Sequence, residues 1–480
     1  MKLTTRQFKQ TARAELNDAR TQKFLQILPQ RLSALRQAAY QSFTDADATH
    51  RFGHAIREEV IQRLPELLED FEKNALANGA QIFWARDSAA ANHYIASLAK
   101  AKGARYVTKG KSMVTEELGL NEALALEGIE AWETDLGEFI AQLLGKPPFH
   151  IVGPAINIAV EQIRDIFLQK GVLREPTLDP VALGKAARQF LRSKFRDLQM
   201  GITGVNMAVA ATGTVINVEN EGNIRLNKSS PRTLVCVMSL EKVVPTLTDA
   251  LHMLRVLCRS ATGQKAGAYL SFDSGPRRPG EIDGPEELHI VILDNGRSAM
   301  YADPHTREAL RCIRCGACLN TCPVYGQVGG YPYGWAYSGP MGQVLTPALQ
   351  GLTDTGDLVR ACTLCHRCKI ICPAGIDHPS LLLYYRHQDV QKNPRLGGRG
   401  AALGEWLGHT LFSLAGTRYG YWRLFTKLAR LAANRQRRGD WIHGISAYTQ
   451  GWFQSRDLPA LPEKSFHERW EESKKAEDKR

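Results

Sequence analysis

The 480-residue chain predicts an α/β domain, then a small α-helical domain built around two cysteine runs, then a helical C-terminal extension. Three observations carry this. Short apolar stretches alternate with amphipathic ones from about residue 76 to 300. Eight of the ten cysteines fall in "CIRCGACLNTCP" and "CTLCHRCKIICP". Past residue 392, basic and aromatic residues recur at helical spacing. The implied limits are 1–75 for a helical N-terminal region, 76–300 for the α/β domain, 301–392 for the cysteine-run domain and 393–480 for the basic extension.

Hydrophobic residues make up 44% of the chain, enough for a sizeable core without disulfide staples. The opening "MKLTTRQFKQTARAELNDAR" has no apolar run, so no secretory signal is expected. No stretch approaches the roughly 18 apolar residues of a membrane span. These features point to the cytoplasm, where clustered cysteines hold metal or do redox chemistry more often than they pair. A net charge of +12 favours acidic partners, but the basic residues are scattered. Nucleic acid is therefore not expected as a partner.

The N-terminal region reads as helices, with "HAIREEVIQRLPELLEDFEKNALANG" showing a period near 3.6 and a charged outer face. Then "AQIFWA", "ARYVTKG", "IEAWET" and "PFHIVG" read as short buried strands, separated by helical stretches such as "DSAAANHYIASLAKAKG" and "LGEFIAQLLGK". Such alternation implies a mostly parallel sheet covered on both faces. A second group of strands follows in "NMAVAATGTVINVEN", "TLVCVMSL", "GAYLSF" and "LHIVILDNG". Gly201, Thr203 and Gly204 of "GITG", with Thr212, Gly213 and Thr214 of "ATGT", are candidates for presenting backbone amides to an anion, facing Lys109 or Lys111. Glu219 and Glu221 are candidate acid–base groups. The competing account is tight turns and a solvated rim. None of these patterns is a P-loop or a dinucleotide fingerprint.

The cysteine runs carry the strongest chemistry. Cys312, Cys315, Cys318 and Cys322 form C-x2-C-x2-C-x3-C before Pro323, and Cys362, Cys365, Cys368 and Cys372 repeat the spacing before Pro373. Three thiolates two residues apart can wrap three corners of a cuboidal cluster. In the bacterial ferredoxin pattern the fourth cysteine serves the other cluster. Applied here, that pattern gives Cys312, Cys315, Cys318 and Cys372 to one [4Fe–4S] cluster and Cys362, Cys365, Cys368 and Cys322 to a second. Structural zinc prefers two separated ligand pairs, and disulfides need an oxidising compartment. Cys236 and Cys258 each stand alone in apolar surroundings and read as inert buried thiols. His366 and His378 flank the second run, either as groups that tune a cluster through contacts behind its ligands or as exposed loop residues.

Between the runs, "GGYPYGWAYSGPMGQVLTPALQGL" reads as an irregular insertion packed over the clusters, with a partner-docking surface as the alternative. The extension places Arg418, Arg423, Lys427, Arg430, Arg435, Arg437 and Arg438 among Trp406, Phe412, Trp422 and Phe425. This is the pattern of a basic amphipathic helix pair, suited to a membrane surface, an acidic partner or the protein's own body. The closing "EESKKAEDKR" reads as a frayed tail.

Together these segments resemble the iron–sulfur subunits of the bacterial lactate-utilisation system, the lactate utilization protein B family. The motifs that carry the resemblance include "KGKSMVTEELGLNEAL", "GITGVNMAVAATGTVINVENEGNIRL", "ALRCIRCGACLNTCPVY" and "GPMGQVLTP", and it extends from about residue 50 to 390. It implies an LUD-type α/β domain similar to sugar-isomerase and CoA-transferase sheets. It also implies a part in oxidising L-lactate to pyruvate beside a cysteine-rich companion subunit and a small LUD-domain companion. All eight cluster cysteines match the family; Ala211 stands where many relatives carry an acidic residue, and no catalytic residue is assigned.

The leading expectation is thus an electron-transfer subunit carrying two [4Fe–4S] clusters. It is expected to be cytoplasmic, with the extension available for peripheral contact at the inner face of the membrane. One alternative makes the chain the catalytic subunit, binding the hydroxy acid in its α/β pocket through Lys109 or Lys111. Another is a cluster-containing redox sensor or RNA-binding protein.

Overall fold

Ten strands organise the first 300 residues: β1 (Gln81–Ala85), β2 (Tyr106–Lys109), β3 (Glu130–Glu133), β4 (Met200–Gly204), β5 (Met207–Val209), β6 (Thr214–Glu219), β7 (Thr233–Ser239), β8 (Val243–Val244), β9 (Tyr269–Asp273) and β10 (Glu287–Leu293). The computed structural model that shows them describes residues 2–444, 450–453 and 456–477. These fall into two compact units that divide after Gly400.

In the first unit, six strands form one sheet in the order β1-β10-β7-β4-β2-β3, and every pairing is parallel. The central β4 and β7 are buried along their whole length, as near-continuous apolar runs in parallel sheets require. A second, four-stranded sheet runs β8-β5-β6-β9, with β5 and β6 joined as an antiparallel hairpin. One core is shared by the two sheets and the helices Ala46–Gln62, Leu64–Ala77 and Leu247–Thr262. Another, on the opposite face, packs the helices Ser88–Ala101, Met113–Leu118 and Leu120–Leu126 against the six-stranded sheet. Local chemistry starts these helices: Asp87, Ser112 and Thr246 each accept a backbone N–H of the first turn.

The cysteine runs follow the sheet within the same unit. They are enclosed by buried Tyr325, Tyr333, Tyr337 and Tyr385 and by the helices Gly339–Gln350 and Leu352–Arg360. The N-terminal segment belongs to this core too, through Phe8 and Ala12, and Thr5 donates to the carbonyl of Asp354 at 2.7 Å.

Several expectations need correction. "PFHIVG" is not a strand. Phe149 instead sets its ring 5.0 Å from that of Tyr331, and its carbonyl accepts the Tyr325 hydroxyl at 3.1 Å, so its apolar residues are buried against the cysteine domain. "GITG" is not a turn but the interior of β4, where glycine is required by close packing: a Cβ on Gly201 would lie 2.1 Å from the carbonyl oxygen of Asn227. "ATGT" is the β5–β6 hairpin turn in the other sheet, seated on Asn74 and Ala75. The segment between the cysteine runs is only partly irregular, because Gly339–Gln350 is helical.

The second unit begins with helices Leu403–Gly416 and Tyr419–Asn434, which meet through Phe412 and Trp422 at 5.8 Å. Arg418, Arg423, Lys427, Arg435, Arg437 and Arg438 are exposed, as are Trp406, Phe412, Trp422 and Phe425. Arg430 pairs with Glu468 at 3.3 Å. The expected frayed tail is helical over Phe466–Glu477; residues 478–480 lie outside the described residues. No helix among the described residues is long and apolar enough to cross a membrane.

Candidate metal centre

The two cysteine runs fold alike. In the first, Arg314 and Gly316 adopt left-handed φ values of 62° and 75° before the short helix Ala317–Thr321. In the second, Leu364 and His366 do the same at 54° and 62° before Arg367–Ile371. Alternating left-handed residues curl the backbone so that successive amides and thiols face one side. The amides of Arg314 and Leu364 donate to the sulfurs of Cys312 and Cys362 at 3.4 and 3.3 Å. Those of Tyr325 and Ile376 donate to Cys322 and Cys372, each at 3.5 Å. Such N–H···S bonds stabilise negative charge on sulfur and are among the protein's means of setting a cluster potential.

The eight thiols gather as two sets, each drawn from both runs. Cys312, Cys315, Cys318 and Cys372 line one small cavity, closed by Met341 and Ile376. Burial, followed by the thiols beside it, pushes Cys315 up to about 12, and burial raises Cys318 well above the usual thiol value, with Cys315, Cys312, Cys372 and, from the other set, Cys368 adding to it. Burial also pushes Cys372 up to about 11, with Cys312 adding to the effect. In the other set, burial and then Cys362, Cys322 and Cys365 push Cys368 up to about 12. Burial raises Cys322 to about 11, with Cys362 and Cys365 adding to it. The two sets differ in access: Cys315 and Cys318 are buried, whereas Cys365 is exposed.

This donor set fits an iron–sulfur cluster. Thiols held so high keep their protons at neutral pH unless a cation replaces them, and coordination removes the proton outright. Among the described residues, no three His, Cys, Asp or Glu side chains converge as they would on a single ion. A cuboidal cluster instead takes each thiolate on a different iron.

The remaining candidates take other roles. Cys236 is buried in β7, and burial pushes its thiol up to about 12; Cys258 is likewise buried, in the helix Leu247–Thr262. His378 lines the first cavity with its Nδ1 on the Ile376 carbonyl at 3.1 Å, and burial lowers it to about 4. His366 is exposed at the start of its helix and makes no side-chain capping bond there. Lys109 is buried between Glu116 and Glu133 at 2.6 and 2.8 Å and is thereby neutralised inside the domain. Lys111 pairs with Asp135 at 3.3 Å. The Glu219 carboxylate accepts the backbone N–H groups of Ile224 and Arg225, and Glu221 accepts that of Leu136. "GITG" and "ATGT", placed in different sheets, do not form the expected joint anion site.

Spacing gave no sign of a buried ionic chain that reaches the first cysteine loop. Glu117 binds Arg297 through two hydrogen bonds of 2.8 and 2.7 Å, Arg297 lies 3.0 Å from Glu241, and Glu241 accepts from Arg314 at 2.7 Å. Burial alone would raise Glu241, but Arg297 and Arg314 outweigh it and hold the carboxyl at about 2. Its partners are too distant in sequence for any local pattern to join them; an arginine between two cluster cysteines was the sole signal.

A parallel α/β domain leading into paired, interleaved cysteine loops defines a dicluster iron–sulfur protein. Family models agree: an LUD domain matches residues 68–293 and a 4Fe-4S dicluster domain matches residues 308–376. The chain is 38% identical to lactate utilization protein B of Bacillus cytotoxicus, with all of both chains covered. It is 39% identical to that of Bacillus licheniformis, covering 99% of this chain and 98% of the relative. The chain belongs to the lactate utilization protein B family. A solved DUF162 family protein from Deinococcus radiodurans covers 48% of this chain and 98% of its own at 15% identity, with a TM-score of 0.27 that carries no argument about fold.

Proposed function

We propose that this chain is the electron-transfer subunit of an L-lactate-oxidising system and holds two [4Fe–4S] clusters. The observation that carries the reading is the pair of interleaved thiol sets, one enclosed and one reaching the surface at Cys365. Cys312, Cys315, Cys318 and Cys372 would hold one cluster, and Cys362, Cys365, Cys368 and Cys322 the other. Bound there, the clusters supply single-electron chemistry. The chain's own part is to hold the thiolates, donate N–H groups to their sulfurs and exclude water with the buried tyrosines. The relatives' name supports lactate as the source of electrons.

The same reading gives the chain a cysteine-rich companion and a small LUD-domain companion. It also gives the exposed apolar and basic face of the C-terminal helices an anionic membrane surface to lie on. No flavin or nicotinamide fingerprint occurs in the sequence, and a cluster with four cysteine ligands leaves no iron position open for substrate. The isolated protein, purified anaerobically, should therefore accept electrons from dithionite yet remain oxidised with L-lactate. Turnover of lactate by this chain alone would overturn the reading. A second reading, in which this chain binds the hydroxy acid itself, is favoured by one feature, a basic cleft beside the first cysteine loop.

A further inference from the structure

That cleft, of about 190 Å3, opens beyond the carboxyl ends of β2, β4 and β7, where ligands of parallel α/β sheets bind. Lys111, Gly204, Asn217 and Lys242 line it on the α/β side, and Ile313 and Arg314 line it from the loop between Cys312 and Cys315. Gly204 has to be glycine, since a Cβ there would meet the Ser112 hydroxyl at 2.5 Å.

The polar groups in the cleft are not all satisfied. Arg314 has Glu241 at 2.7 Å, and Lys111 has Asp135 at 3.3 Å and the Val152 carbonyl at 3.1 Å. Lys242 is only 7% exposed, yet among the described residues its ammonium has no hydrogen-bond or ion-pair partner. Asn217 is 2% exposed and donates to the Gly204 carbonyl at 2.8 Å, while its Oδ1 accepts nothing. A buried ammonium with no hydrogen-bond acceptor, whose neighbouring carboxylate, Glu241, is already shared by Arg297 and Arg314, and a buried acceptor without a donor are both costly, so both point to a missing ligand.

A ligand that satisfies both must carry an anionic group for Lys242 and a hydroxyl donor for Asn217 Oδ1. The cleft's size restricts it to a few non-hydrogen atoms beside retained water. We infer that the cleft is a binding site for a small 2-hydroxy carboxylate, held against the first cysteine loop. The ligand class follows from the cleft alone; taking L-lactate as the probe rests on the lactate-utilisation reading. A 2-oxo acid or a plain carboxylate offers the same anion but leaves Asn217 Oδ1 unpaired, so the site should prefer the hydroxy acid.

The test is calorimetric titration of the anaerobic, cluster-loaded protein with L-lactate, pyruvate, propionate and inorganic phosphate. One-to-one binding of L-lactate is expected, at least tenfold tighter than propionate or pyruvate. Lys242→Met should weaken it at least tenfold while iron content and circular dichroism stay unchanged. If that variant misfolds, the ligand ranking on the unaltered protein still decides. Absence of saturable lactate binding, equal affinity for propionate or phosphate, or a well-folded Lys242→Met protein that binds normally would each overturn the site. Binding without turnover supports the site and leaves the electron-transfer reading intact. Binding with turnover keeps the site and removes that reading.

Discussion

Arg314 and Leu364 occupy equivalent places in the two cysteine loops and share a left-handed backbone that residues with side chains avoid, at about 1–2 kcal/mol each. What holds them there is the thiol two residues back, which accepts each amide. The sequence made the eight cysteines legible because cluster geometry is written in short local spacing. It did not show Glu241, whose partner Arg314 lies 73 residues away. Two predictions belong at this scale. Cys322→Ser should disturb the cluster associated with Cys362, Cys365 and Cys368, read by EPR of the reduced protein; damage confined to its own run would contradict interleaving. Glu241→Gln leaves buried Arg297 and Arg314 short of a counter-charge and should cost about 3–5 kcal/mol of unfolding free energy. Because Glu241 is held at about 2, the unfolded chain binds the extra proton as pH falls below the ordinary glutamate range. Its contribution is full at neutral pH and disappears as the pH approaches 2. Denaturant melts from pH 7 to 3 should therefore be flatter for the variant than for the unaltered protein.

Among elements, β7 and β10 could be read from the chain because a central parallel strand must be continuously apolar, and β1, β2 and β3 because their short apolar stretches alternate with amphipathic helices. "PFHIVG" has the same composition but buries its residues against Tyr325 and Tyr331 rather than in a ladder, a distinction composition does not hold. The glycines of β4 looked like turn residues; only the neighbouring Asn227 backbone and Ser112 side chain show why they lie in a strand. The C-terminal helices were legible as amphipathic, and in the structure Leu411, Leu424 and Leu428 are exposed beside Arg423 and Lys427. Flotation with liposomes should show binding to anionic vesicles that weakens as salt rises, and replacing Arg423 and Lys427 with glutamate should reduce it. Equal binding to neutral vesicles, or none to either, would remove the membrane from the account.

For the molecule as a whole, sequence alone separated an α/β domain from a cysteine domain, whereas residues 2–400 fold as one unit with shared cores. Ile313 and Cys315 pack into the sheet core, and the ionic chain from Glu117 to Arg314 ties the sheet to the first cysteine loop. Contacts between distant segments create this union, so no local pattern announces it. Iron and acid-labile sulfide should each approach eight per chain, as two cubane clusters require; half that content, or stoichiometric zinc, would break the account at its base. The most direct test mixes the anaerobic protein with the two companion subunits proposed for it and follows bleaching of the cluster absorbance on addition of L-lactate. Reduction that needs both lactate and the companions is the predicted result. Reduction by lactate in their absence, or none in their presence, would contradict it.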